Sequence, residues 1–448
     1  MHLGVCISCS VLASTIALAF AQTPHYAMEE AIRVAQAHNP DVAIARKKVE
    51  AARGGLVEAR SGYLPAVVSS GLYRQRERQG NTQLRPEDYN ANIRVVESIY
   101  TGGATTSRLA IARLNLVKTE ADLEAVMARI TMEVRIAFCE SLLNRERIHV
   151  HEEAVAVLEQ ELKTQRERFD AGTVGELNVR RAEVSLANAK PELIQAQTDL
   201  QNSFLRLSEL LGIASASSPP FSVAGELVYE ARRPDLNECL ARASTMRPEI
   251  KAADADIAIE EQQLQLDRSA TRPKVEVFSG YEVYNERDPT LGREFNHGYI
   301  IGLNGSWALF DGFATRGKMQ ATRARRDAAL RAGEALRRTI ASEVRSAFLD
   351  LEQADRILES ETKSVQIADE SLQIAKGNLA AGLGTQLDVL QAASDLTRTR
   401  STRLSATFLH NTAIARLDRA CGGEAPSLGG EAQLLFLTRP PSKLGERK

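Results

Sequence analysis

Through the second half of the chain an apolar residue recurs every seven positions: Val344, Leu351, Leu358, Val365, Leu372 and Leu379. In the first half Val134, Ile148, Val155, Leu162 and Phe169 take the matching places, with Ser141 as the gap. Such a seam predicts long helices packed side by side. The alanines three places on, at Ala347, Ala354, Ala368 and Ala375, permit close approach. With no proline from Gly103 until Pro191 in one half and none between Pro289 and Pro426 in the other, the pattern predicts helices over about 103–169 and 313–379. A helix from Gly103 to Phe169 is roughly 100 Å long at 1.5 Å per residue. It cannot bury its seam within one globule and needs neighbouring rods. Each rod ends at glycine, in Ala171-Gly172-Thr173-Val174-Gly175 and in Ala381-Gly382-Leu383-Gly384-Thr385. Glycine is the residue that closes a helix in the left-handed conformation. Returning helices are predicted over about 176–211 and 385–420.

Upstream of each rod the period changes from helical to two. Pro65 and Pro273 end helices and open extended stretches, predicted as strand pairs over about 64–101 and 273–310. Val67 shares a parity with Tyr73, and Ile93 with Val95 and Ile99, Glu97 being the exception. In the second pair Val275, Val277, Tyr281 and Val283 alternate, followed by Phe295, Tyr299, Ile301, Leu303, Trp307 and Leu309. Polar turns are predicted at Gln79-Gly80-Asn81 and from Asn285 to Gly292.

The chain is a duplication. Shifted by 208 residues, Met28, Ala35 and Pro40 fall on Leu236, Ala243 and Pro248. Shifted by 210, Gly102 meets Gly312, Glu133-Val134-Arg135 meets Glu343-Val344-Arg345, and Ala171-Gly172 meets Ala381-Gly382. The expected organisation is a first repeat over 22–212, a linker over 213–234, a second repeat over 235–422 and a disordered tail over 423–448. Each repeat opens with two shorter helices, from about Met28 to His38 and on to Ser61, and from Leu236 to Thr245 and on to Ser269.

Composition narrows the function. The 448 residues carry a formal net charge of −2, so no field recruits nucleic acid. Residues 1–21 are expected to be an export signal: no acidic, Lys or Arg residue precedes Glu29, Val11 to Phe20 is apolar, and Ala19-Phe20-Ala21 is a small-residue cleavage site. Cys6 and Cys9 would leave with it. Cys139, Cys239 and Cys421 remain, an odd and widely spaced set with no metal or redox motif, expected to be buried or spare thiols. No later apolar run is long enough for a transmembrane helix, so any membrane role falls to the strands. His149 and His151 do not share a helix face, and Gly382-Leu383-Gly384 lacks the context of a dinucleotide site. No enzyme, metal site or cofactor is expected.

Four strands are too few to seal a bilayer. A spanning sheet must close, and the smallest bacterial barrels have about eight strands. If these strands enter lipid, several chains share one barrel; a sheet in water escapes the argument. The aromatics Tyr73, Tyr100, Tyr281, Tyr299, Trp307 and Phe310 suit an interfacial girdle, or ordinary packing.

The order of elements resembles the TolC-like outer-membrane efflux protein family from Met28 to Gly422. The resemblance rests on Met28-Glu29-Glu30-Ala31-Ile32 leading to Asn39-Pro40, on Tyr63-Leu64-Pro65, on Trp307-Ala308-Leu309-Phe310-Asp311-Gly312, and on Ala381-Gly382 leading to Leu387-Asp388-Val389-Leu390. It implies an α+β fold: a long α-helical barrel with four strands per chain, contributing to a twelve-stranded transmembrane barrel in a homotrimer. It also implies an outer-membrane location with a periplasmic tunnel. The implied partners are a periplasmic adaptor and an inner-membrane pump of RND or ABC type, as in efflux or type I secretion. By the resemblance, Gly172, Thr173, Val174, Gly175, Gly382, Leu383 and Gly384 form the adaptor-facing tip. Asp388, Asn178, Leu379 and Gln391 stand at the tunnel gate. Asp388 matches a carboxylate ring, yet Thr385 three residues before it also makes a capping box, and both roles can hold. Gly384 and Leu379 replace a basic and an aromatic residue of the family's closed state, so closure is expected through Leu379 and Leu383. Arg316, Lys318, Arg323, Arg325, Arg326 and Arg331 are expected to be a solvated face or a headgroup contact. The rival reading is a soluble periplasmic coiled-coil adaptor or scaffold. The exported substrate is not legible.

Overall fold

The computed structural model describes residues 25–75, 87–213, 221–229, 231–232, 234–285 and 295–423. The expected signal over 1–21, the Gln79–Asn81 turn, the turn after Asn285 and the tail beyond Gly423 lie outside the described residues.

Each repeat builds the same series of elements. The first gives α1 (Met28–His38), α2 (Pro40–Ser61), β2 (Ala66–Gln75), β3 (Glu87–Tyr100), α3 (Ala104–Asp170) and α4 (Glu176–Leu211). The second gives α5 (Leu236–Met246), α6 (Pro248–Ser269), β5 (Lys274–Asn285), β6 (Phe295–Ser306), α7 (Ala314–Ala380) and α8 (Gln386–Ala420). The long helices α3 and α7 both have 67 residues. A two-residue parallel pair, β1 (His25–Tyr26) with β4 (Ser222–Val223), joins the chain's start to the inter-repeat segment. That pair is too short to leave a sequence pattern.

The elements form three tiers, each four wide and shared equally by the repeats. The upper tier is an antiparallel sheet in the order β2-β3-β5-β6. In the middle tier α2 packs on α3, α3 on α6 and α6 on α7. In the lower tier α4 packs on α3, α3 on α8 and α8 on α7. Apolar cores sit where α1 and α5 cross the long helices. One is centred on Ile130, Val134 and Leu207, the other on Val344, Leu351 and Leu417. A third, with Ala368, Leu372, Val389 and Leu396, closes the lower α7–α8 hairpin.

The heptad seam holds in α7, where Val344, Leu351, Leu358 and Leu372 are buried. In α3 it fails toward the lower end. Phe169 is 44% exposed, and the residue buried instead is Gln165, 1% exposed, beside Glu161 and Gln386. A straight helix drifts about 20° per heptad against a strict seven-residue repeat. α7 keeps its seam over the same length, so Phe169 leaves the interface as the next-to-last residue of α3 and not by drift alone.

The repeats close alike at the equator. Gly212 and Gly422, both left-handed, end α4 and α8 against the α1–α2 and α5–α6 joints. A Cβ at Gly212 would lie 2.3 Å from the His38 carbonyl oxygen, and one at Gly422 would lie 2.9 Å from the Met246 Cβ.

Candidate functional site

The sheet has two chemically distinct faces. Register places Val67, Ser69, Gly71 and Tyr73 of β2 beside Val95, Ile93, Ala91 and Tyr89 of β3. Val277, Ser279, Tyr281 and Val283 of β5 and Leu303, Ile301, Tyr299 and His297 of β6 continue the same face. It is apolar apart from Glu97, His297, small residues and Gln75, Glu87 and Asn285 at the hairpin end. The opposite face carries Ser70, Asn90, Asn92, Arg94, Glu282 and Asn304 among Val68, Leu72, Val96, Phe278 and Ile300. There Arg74 pairs with Asp88 at 2.5 Å and Arg94 with Glu282 at 3.4 Å. Arg94 also lies 5.3 Å over the Phe278 ring, whose edge fills the space a side chain at Gly302 would need. Strands of 10 to 14 residues with one oily and one wet face match a tilted span of a hydrocarbon layer.

The expected girdle residues divide. Tyr73 stacks on Tyr89 at 5.0 Å, and Tyr89 approaches Phe295 at 6.4 Å, at the hairpin end of the strands. Tyr100 reaches the apolar face through a register shift between Ser98 and Tyr100, which sets Ile99 outside the pairing and places Tyr100 opposite Val275. Trp307 and Phe310 stand exposed at the helix end, with the Trp307 indole donating to the Thr271 carbonyl. Tyr281 and Tyr299 face each other within the strands, away from both ends. The sequence reading missed Tyr89, Phe295 and Phe313. Phe313 holds a left-handed φ of 66°, unusual for a bulky residue, and packs edge-on against Phe310 at 5.5 Å.

Both margins of every tier are open among the described residues. In the sheet β2 and β6 each pair on one side only. In the lower tier α4 exposes Leu177, Val184, Ile194 and Leu205, while α7 exposes Leu349, Ile367 and Ile374. Such apolar margins on both outer helices are faces awaiting neighbours.

The tips join α3 to α4 and α7 to α8. Gly172 and Gly382 are left-handed, with φ of 69° and 75°, and cap their rods through bonds from Thr173 N to Arg168 O and from Leu383 N to Asn378 O. Thr173 and Gly175 are exposed, Val174 and Gly384 half-buried, and Leu383 is 83% exposed. Leu379 is half-buried. It packs against the cluster of Ala368, Leu372, Val389 and Leu396 inside its own hairpin. The seam claims it because it is the last seventh-position residue of α7.

Asp388 makes a full capping box. Its carboxylate accepts from the Thr385 N–H and hydroxyl at 2.8 Å each, and the Thr385 hydroxyl accepts from the Asp388 N–H. Those bonds from Thr385, the backbone one first, hold the Asp388 carboxyl below its ordinary range. The group stays exposed and charged. Gln391 donates to Asp395, which also pairs with Arg398. Asp388, Gln391 and Asp395 share one side of α8 by their spacing; the sequence reading missed Asp395. Asn178 is half-buried at the start of α4, where Gly175 offers no side-chain cap. Of the six basic residues below the sheet, Arg325 pairs with Glu260, Arg326 with Asp327 and Arg331 with Glu334, while Arg316, Lys318 and Arg323 are exposed.

No described helix is long and apolar enough to cross a membrane. The chain matches the family model described as outer membrane efflux protein over residues 31–213 and 239–423. It is 27% identical to Protein CyaE of Bordetella pertussis over 410 residues, covering 89% of this chain and 84% of that protein. It shares its fold with the outer-membrane channel OprN, with a TM-score of 0.75, 20% identity and coverage of 89% and 90%. It also shares it with the Campylobacter jejuni CmeC outer membrane channel, with a TM-score of 0.76, 16% identity and coverage of 91% and 88%.

Proposed function

From the premise that the chain belongs to the outer membrane efflux protein family, we propose that three copies close edge to edge into one conduit and that this conduit transports without catalysing a reaction. The chain is an efflux channel subunit of the outer membrane, with its helical part in the periplasm.

The carrying observation is that every tier ends in two unsatisfied margins, one from each repeat. In lipid, an unpaired strand edge leaves backbone N–H and C=O groups without partners, at several kcal/mol each. Joining β6 of one chain to β2 of the next removes those edges, and three copies of four strands give a twelve-stranded wall. The same closure sets α7 against the neighbour's α4, covering Ile367 and Ile374 with Leu177 and Val184. The apolar sheet face then meets lipid, and the face with Arg94, Glu282, Arg74 and Asp88 lines the water-filled passage. The soluble adaptor alternative leaves both the oily face and the open edges without a role.

In this reading the exposed tip residues Thr173, Gly175 and Leu383, with the half-buried Gly384, meet a periplasmic adaptor. That adaptor connects the tunnel to an inner-membrane pump. Asp388 serves both as helix cap and as mouth carboxylate, and Asp395 adds a second negative position above it.

The test is the purified mature chain in detergent. A heat-modifiable trimer that conducts ions in a planar bilayer is the expected result. A single, water-soluble polypeptide that inserts no conductance overturns the proposal.

A further inference from the structure

We propose that Cys239 and Cys421 are joined by a disulfide in the exported protein, fastening the end of α8 to α5 and closing the second repeat into a covalent ring. The odd cysteine count concealed this pair, because the partners lie at opposite ends of the repeat.

Three observations bring them together. Both belong to one buried cluster with Ala243, Leu417 and Ala420, at 7% and 3% exposure. Gly422, next to Cys421, is seated against Met246 and Arg247 at the far end of the helix that carries Cys239. The two positions are also repeat equivalents of a packed apolar pair. Under the same shifts Cys239 corresponds to Ala31 and Cys421 to Leu211, both fully buried in the first-repeat core. Two positions of one core are thus Ala and Leu in the first repeat and two cysteines in the second, so both differ together.

The periplasm is an oxidising compartment. Both residues are thiols in the structure. Each loses a proton, one S–S bond forms, and the two electrons reduce the disulfide of a periplasmic thiol–disulfide oxidoreductase to its dithiol, which takes up the two protons. Burial, followed by the adjacent Cys239 thiol, pushes the Cys421 thiol up to about 12. A thiol held protonated in this way is a poor nucleophile. The bond therefore forms during export, before α8 docks, and the docked core then shields it from reductants.

The experiment uses the full chain extracted from outer membranes, alkylated during lysis without reductant and digested. Recovery of the Cys239 and Cys421 peptides as one linked species, separated by reduction, is expected. Recovery of both as separate alkylated peptides overturns the proposal. A second measurement uses Cys239→Ala with Cys421→Leu, which reinstates the first repeat's pair and leaves the channel wall and tips untouched. Under denaturing conditions with reductant, the wild-type unfolding midpoint falls and that of the double variant does not. An equal response of the two proteins to reductant also overturns it.

Discussion

The two repeats solve the same structural problems with different side chains. At the first equator Asn39 caps α2 by accepting from Asp41 N and Val42 N, and it donates to the Leu210 carbonyl. The matching residue in the second repeat, Arg247, is buried and bridges Glu249 and Glu343 at 2.9 and 2.6 Å. Where each long helix starts, Gly103 and Phe313 both take a left-handed φ, one at no cost and the other strained. At the tips α4 begins without a side-chain cap, while α8 begins with a capping box. The backbone path is common to both; the chemistry that satisfies it is local. Divergence is therefore tolerated wherever the replacement serves the same orphaned groups.

Membrane closure is where the repeats are required to behave alike, and it carries the largest effect. Val95→Arg in β3 and Ile301→Arg in β6 both place a charge on the apolar face. Each is expected to cost about 2–4 kcal/mol per chain near the bilayer midplane. Asn304→Arg, on the opposite face of β6, leaves trimer yield intact and changes conductance. Heat-modifiability on gels and single-channel recordings separate the outcomes. Equal loss of trimer from Asn304→Arg and Ile301→Arg breaks the assignment of faces.

The equator is where the repeats differ most in kind. Arg247→Ala leaves Glu249 with Arg419 alone and Glu343 to solvent, with an expected loss of about 3 kcal/mol, whereas Asn39→Ala loses a cap and a carbonyl partner, about 1–2 kcal/mol. Burial, the largest single influence, works to raise the Glu249 carboxyl. The Arg247 hydrogen bonds, the backbone N–H of Glu249 and the charges of Arg247 and Arg419 together outweigh it, so Glu249 titrates below its ordinary range. A depressed carboxyl contributes stability above its unfolded pKa and loses it as pH falls through the folded one. The Arg247→Ala deficit therefore shrinks on acidification, and the Asn39→Ala deficit does not. Denaturant midpoints in detergent at neutral and acid pH show whether the contrast holds.

The sequence exposed what is periodic or punctuated. Pro40 and Pro248 open α2 and α6, Pro65 and Pro273 lie just beyond their ends, and the sevenfold residues mark the rods, so boundaries fall within a residue or two. Glycine at 172 and 382 located the tips because only a left-handed residue ends a helix that way. Contacts between distant elements were hidden. Leu379 packs into its hairpin seam, and the Cys239–Cys421 meeting spans the whole second repeat. Tyr100 changes face through a register shift that residue type does not encode. Gln165 is the sharpest miss, since a buried amide replaces the apolar seam. Its Oε1, like that of Gln386, has no hydrogen-bond partner. Gln165→Leu is accordingly expected to raise stability by about 1 kcal/mol, the size of an unmet buried polar group, and to bring the lower end of α3 closer to the regular seam of α7. An unfolding midpoint unchanged or lowered by this substitution shows that the buried amide carries no penalty.

The smallest effect belongs to the tips, and it separates cap from mouth. Because the Thr385 N–H and hydroxyl hold the Asp388 carboxyl below its ordinary range, protonation loosens the start of α8 only as pH falls through that lowered value. The start of α4, with Asn178 and no carboxylate cap, has no matching transition. Amide exchange over 385–390 is thus expected to quicken in acid while that over 175–180 follows the intrinsic rate. Asp388→Asn abolishes the acid step by removing the titrating group. Thr385→Ala keeps the carboxylate but deletes the hydroxyl, loosening the turn by about 1 kcal/mol as a lost N-cap does. If Asp388 acts at the mouth as well as in the cap, Asp388→Asn lowers cation preference in bilayer recordings while Thr385→Ala leaves it unchanged. Equal shifts in selectivity for both variants reduce Asp388 to a helix cap.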